Sequence, residues 1–197
     1  MSNQLANIKR IETDLWEAAD NLRANSKLTS TEYCMPVLGV IFLRHAANRF
    51  DVVTKEIAAS GKKRKPVKAD YVRRRALFLP EESRYDYLLG LSTDVDLGEA
   101  VITAMEKIEE SFEPLAGVLP KEFTIFDRDV LEDLLRVFDS EAMKSVSGDV
   151  FGRIYEYFLM KFAMQGGERN LLEGRVRRIN ASASCAGDQP TLGRPPV

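Results

Sequence analysis

The sequence predicts an all-α fold, a bundle-like domain of about five or six helices. Three observations predict it. Apolar residues recur at steps of three and four through several long segments, the period of a helix with one buried face. No strand-like segments alternate with helical ones as βαβ units require. With 12 Gly and 8 Pro among 197 residues, and 45% hydrophobic residues, the chain can form long helices and bury a core. No repeat of fixed period interrupts this pattern.

The elements follow in order. Over residues 5 to 24, Ile8, Ile11, Leu15, Ala19 and Leu22 form one stripe, which Trp16 widens. Thr29 and Glu32 have the spacing of a capping box, so a second helix follows through "YCMPVLGVIFLRHAANRFDVVTKEIAAS". Its early apolar run is continuous, which suits burial on most sides. Pro36 predicts a kink there, or a later start. Residues 61 to 75, "GKKRKPVKADYVRRR", read as an exposed loop because of Pro66 and the like charges. "ALFL" at 76 to 79 reads as a short strand or an extended connector. Pro80, Glu81 and Glu82 open a further helix whose aromatic face is "SRYDYLLGL".

Leu97, Val101, Ala104, Ile108 and Phe112 define the next helix, which Pro114 and Gly117 break. Leu131, Leu134, Leu135 and Phe138 share a face over 127 to 138, with Asp127 and Asp129 at the favourable N-terminal end. The last helix starts near Asp149. Its broad face carries Val150, Phe151, Ile154, Tyr155, Phe158, Leu159 and Phe162, and Gly166 stops it. Residues 1 to 168 are thus one helical domain. Residues 169 to 197 hold no aromatic and read as a disordered tail.

Composition excludes several functions. A net charge of −2 and a pI near 5.6 do not mark a whole-protein polyanion binder. Cys34 and Cys185 are far apart and belong to no C-x-x-C spacing, so neither a metal nor a redox pair is indicated. The first residues contain no apolar leader core, and "MPVLGVIFL" is too short for a span of ~20 residues. A soluble cytoplasmic protein is expected.

The sequence offers no catalytic constellation. His45 is the one histidine, which removes multi-His metal sites and weakens any Ser-His-Asp arrangement. Between Arg44 and Arg49, it reads as a polar helix residue. Neither G-x-G-x-x-G nor G-x-x-x-x-G-K-[ST] occurs. The pairs Glu81–Glu82, Glu109–Glu110 and Asp127–Asp129 are explained by solvated faces or helix starts. Phe151, Tyr155, Phe158 and Phe162 suit a core better than a base-stacking platform.

One feature exceeds background. Lys62, Lys63, Arg64, Lys65, Lys68, Arg73, Arg74 and Arg75 form a basic run that only Asp70 interrupts among charges. Such cations could neutralise DNA phosphates and release counterions. A solvated loop explains the same residues equally well.

Three stretches carry a resemblance. "LWEAADNLRANSKLTSTEYCMPVLGVIFLRHAANRF", "RRRALFLPEESRYDYL" and "GDVFGRIYEYFLMKFAMQGGE" resemble the N-terminal region of the methyltransferase (M) subunit of bacterial type I restriction–modification systems. The resemblance covers roughly residues 10 to 168 in the right order. It implies a subunit that transfers methyl from S-adenosylmethionine to adenine N6 of a flipped base. It also implies partners: a specificity subunit that reads the DNA target, a second M subunit and a nuclease–translocase subunit. The helical domain in such a subunit closes the assembly around DNA and contacts partners.

After Glu168 the resemblance stops. Arg169 and Asn170 replace the aromatic and Thr-Pro step, and no glycine-rich cofactor loop or Asn-Pro-Pro-aromatic motif follows. Pro195–Pro196 lacks the flanking residues of that motif. No catalytic or cofactor-binding residue is therefore carried over, and truncation or a frameshift after Glu168 is expected. The leading expectation is a domain for subunit assembly and DNA clamping without catalysis. The alternative is a stand-alone or regulatory helical protein that binds the specificity subunit or the DNA backbone.

Overall fold

Helix α2, Ser30–Ala59, is the axis of the molecule, and every residue from Val37 to Leu43 is buried. A helix apolar on all sides needs neighbours on all sides. The computed structural model describes residues 2–60, 65–146 and 148–165, with side chains from residue 7 on. Around α2 lie α1 (Ser2–Ser26), α3 (Lys68–Val72), α4 (Tyr85–Leu89), α5 (Leu97–Ser111), α6 (Arg128–Phe138), α7 (Glu141–Ser145) and α8 (Gly148–Met164). Short 3-10 turns occupy Glu81–Ser83 and Glu113–Leu115.

The fold class is all-α as the periodicity predicts, with eight helices and no strand among the described residues. The extra helices are α3 and α7, five residues each and too short to show a period, while the helix expected from Pro80 onward is the five-residue α4. "ALFL" is an extended connector. Pro80 precedes a 3-10 turn before α4 begins. The expected stop at Gly166, and the expected tail at 169–197, lie outside the described residues.

Caps set the helix starts. Thr29 accepts from the Glu32 amide at 3.3 Å, and the Glu32 carboxylate accepts from the Thr29 amide at 3.0 Å. This capping box starts α2 at Ser30, so the later start suggested by Pro36 does not occur. Pro36 is the seventh helical residue, and its missing N–H leaves only one first-turn carbonyl without its helical partner. Asp96 caps α5 by accepting from the Glu99 amide at 3.1 Å.

The core between α1, α2, α6 and α8 is aromatic. Trp16 meets Phe162 edge-on at 5.0 Å and Phe158 at 5.4 Å, and Phe138 meets Phe158 at 5.6 Å. Each fully buried Phe contributes about 1.5–3 kcal/mol of transfer free energy. At the far end of α8, the Gln165 side chain donates to Asp20 at 3.3 Å and accepts from Ser30 Oγ at 3.2 Å. It thereby joins α8 to both α1 and α2.

Candidate functional site

The basic run meets α2 along the second half of that helix. Lys62, Lys63 and Arg64 lie outside the described residues. Lys65, Lys68, Arg73 and Arg75 are exposed, and Arg74 is half-buried. The solvated loop expected over 61–75 is corrected here, because α3 forms within it and buries Asp70 and Tyr71. Asp70 explains its own place in a basic run: its carboxylate accepts from the Val67 amide at 3.1 Å and starts α3.

An aromatic stack anchors α3. Tyr71 lies parallel to Phe50 of α2 at 4.7 Å, with Phe78 edge-on at 5.5 Å from Tyr71. The Tyr71 hydroxyl is 3.0 Å from Thr54 Oγ1. Arg84 covers Phe50 at 5.5 Å from the ring centroid. The cation–π contact adds a further charge to this edge.

The end of α3 is unusual. Ala76 N–H donates to Tyr71 O and Arg75 N–H to Val72 O, each at 3.0 Å, with Arg75 at φ 55°. This is a Schellman closure, whose left-handed position ordinarily holds glycine. A Cβ there crowds the following carbonyl and costs roughly 1–2 kcal/mol. Arginine occupies it instead. Arg49 of α2 reaches across, donating to Arg74 O at 2.7 Å and to Arg75 O at 3.5 Å. Arg74 donates back to Asp70 O at 3.1 Å.

Arg49 and Arg84 were missed by the sequence reading. Arg49 was visible only as a neighbour of His45, and nothing in the spacing links it to a turn 25 residues away.

His45 stacks on Phe151 at 3.9 Å. Burial first, and the Arg49 charge second, push its pKa down to about 4. It is therefore neutral near pH 7 and packs α2 against α8. Arg44, one residue earlier, is 3% exposed; it donates to Asp139 at 2.7 Å and to Asn48 at 2.8 Å, and lies 4.6 Å from the Tyr85 ring centroid.

Of the carboxylate pairs, Glu109 and Glu110 are structural as well. Glu109 accepts from Lys121 at 2.7 Å and from the Leu119 amide at 2.8 Å, while Glu110 pairs with Lys107 at 2.9 Å. Glu81 and Glu82 are exposed, and Asp127 and Asp129 stand at the start of α6. Phe151, Tyr155, Phe158 and Phe162 are all core. Among the described residues, no group of three or more His, Cys, Asp or Glu could hold a metal ion. None of their helices is long and apolar enough to cross a membrane.

A model of the HsdM N-terminal domain family matches residues 11–138, which run from α1 through α6. The chain belongs to this family. It carries the N-terminal domain of an M subunit of a type I restriction–modification system. The type I restriction enzyme MjaIX methylase subunit of Methanocaldococcus jannaschii is 35% identical over 171 residues, covering 77% of this chain and 30% of the relative. The chain thus spans less than a third of that protein's length.

S-adenosylmethionine is the cofactor such a family implies, and the described residues do not fit it. They include no strand to present a glycine-rich loop. Two of the helical glycines, Gly39 and Gly98, are closed off by the chain itself. A Cβ on Gly39 would meet Pro120 Cγ at 2.5 Å, and one on Gly98 would meet Phe123 O at 3.1 Å. No step of methyl transfer is derived from this domain.

Proposed function

We propose that the chain is the assembly and DNA-clamping domain of a type I methylase subunit, with methyl transfer left to the complete subunit. One observation carries this reading. The HsdM N-terminal match runs across α1 to α6, and within it His45 is committed to packing against Phe151 while Glu109 and Glu110 are committed to lysine ion pairs. In the complete subunit, S-adenosylmethionine would supply the methyl group for adenine N6.

The partners on this reading are the specificity subunit, a second M subunit, the nuclease–translocase subunit and DNA, in the cytoplasm. DNA phosphates would be met by Lys62, Lys63, Arg64, Lys65, Lys68, Arg73, Arg74 and Arg75. Exposed apolar side chains such as Met160 and Met164, one turn apart on α8, favour a protein neighbour.

Co-expression with the cognate specificity subunit tests the proposal. Co-elution of the two chains, together with no methyl transfer to DNA by this chain alone, is the expected result. Methylation by the isolated chain would place catalysis inside the domain and overturn the reading. Salt-dependent DNA binding without co-elution would favour a stand-alone DNA-backbone binder.

A further inference from the structure

We propose that Arg49 is a positioning residue for duplex DNA. By holding the carbonyls of Arg74 and Arg75, it fixes the turn after α3 in one geometry, so that Arg73 meets the phosphate backbone already oriented. The proposal rests on reading the basic segment as a phosphate contact.

Three observations lead to it. The first is Arg75 at φ 55°, a left-handed residue that is not glycine. Such strain persists only where the surroundings over-determine it, and it concentrates where a protein must hold a group for use. The second is what over-determines it. Arg49 donates to both carbonyls of the turn, at 2.7 and 3.5 Å, while Phe50, one residue on, stacks against Tyr71 just before the turn. Residues 49 and 50 of one helix thus grip one short segment. A loop kept only for solubility needs no such grip.

The third observation is the division of labour among the cations. The Arg49 guanidinium is turned onto backbone carbonyls and Arg74 donates to Asp70 O, whereas Arg73 and Lys68 are exposed. Arg49 therefore acts through the turn. An ordered cation loses less conformational freedom on meeting a ligand than one on a free loop. The duplex backbone, a regular row of phosphates, suits cations held at fixed separation.

The test uses the full 197-residue chain, a duplex of arbitrary sequence and a salt series. Arg49→Lys keeps the charge but loses the planar fork that spans two carbonyls. It is expected to weaken binding severalfold and to flatten the plot of log K against log salt by about 0.9, the share of one phosphate contact. Arg73→Ala should do the same in the unaltered chain and add nothing in the Arg49→Lys background. Thr54→Val removes the Tyr71 hydroxyl contact without touching the clamp, so it should leave the slope unchanged.

An unchanged slope in Arg49→Lys, additive effects with Arg73→Ala, or a flattened slope in Thr54→Val would each overturn the positioning role. If the unaltered chain binds duplex with no salt dependence, the phosphate reading falls and the positioning role falls with it. Hydrogen exchange gives an answer without any substitution. Arg75 and Ala76 amides protected before DNA is added support the clamp; protection that appears only with DNA overturns it.

Discussion

Arg44 and Asp139 stand 95 positions apart in sequence, and their side chains meet at 2.7 Å. The arginine is 3% exposed, so its charge is compensated almost wholly by neighbours within the domain. Lys144 reaches the same carboxylate at 2.9 Å, and Asn48 donates to Met143 O at 2.7 Å. The α6–α7 corner is thereby fixed to the middle of α2.

Removing Asp139 should therefore be severe. Asp139→Ala leaves a buried guanidinium short of its anion, at a cost of about 2–4 kcal/mol. Arg44→Met, which removes the charge and keeps the bulk, should cost less. Urea denaturation of both variants checks the order, and equal losses would show that the buried charge is not the cause.

Two glycines should respond to alanine with opposite signs. Gly39→Ala gains about 1 kcal/mol of helix propensity, but its Cβ would lie 2.5 Å from the Pro120 ring. Overpacking of that kind costs about 1–3 kcal/mol, so a net loss is expected. At Gly152 nothing lies within 4 Å of the added Cβ, and Gly152→Ala should stabilise by about 0.5–1 kcal/mol. Thermal melts of the two variants decide it.

Lys27 ends α1 at φ 60°. Glycine there removes the left-handed penalty and gives back part of the gain as unfolded-chain entropy. Lys27→Gly should stabilise by about 0.5–1 kcal/mol. A drop in denaturation midpoint would mean that the lysine side chain contributes more than its backbone costs.

Stability should fall as pH drops through the range that His45 governs. Its pKa is about 4 in the folded chain against the ordinary 6.5, because burial and then Arg49 disfavour the charged ring. The unfolded chain takes up the proton first, so the contribution is complete above pH 6.5 and is lost progressively down to about pH 4. Between pH 7 and pH 5 the loss from this group is about 1–2 kcal/mol. His45→Gln should be correspondingly flatter over that interval in a series of urea titrations. Parallel curves would remove His45 from the account.

Much of the fold is legible in the sequence where a helix is long enough to repeat its stripe. Leu131, Leu134, Leu135 and Phe138 name the buried face of α6 without help, and Thr29 with Glu32 marks the start of α2. Helices α3 and α7 are not legible, and α4 is legible as a helix but not in where it starts, because tertiary bonds set that end. Tyr85 of α4 donates to Leu135 O at 2.8 Å, and Ser83 just before it donates to Ala104 O at 2.9 Å. Neither acceptor carries a sequence signal. The candidate edge was legible as charge but not as shape. With arginine in the position where glycine usually marks a helix end, the closure of α3 looked like loop. The family match over 11–138 agrees with the resemblance on which the assembly reading was built.

Gln165 gives the end of α8 a mechanical meaning. Bonded to Asp20 and Ser30 at once, it makes the helix a beam resting on two supports. A pull applied at residue 165 is shared by α1 and α2 before α8 can unwind. With both bonds cut, α8 would still be held by its buried face through Phe158 and Phe162, and only the tie at its last turn would be lost.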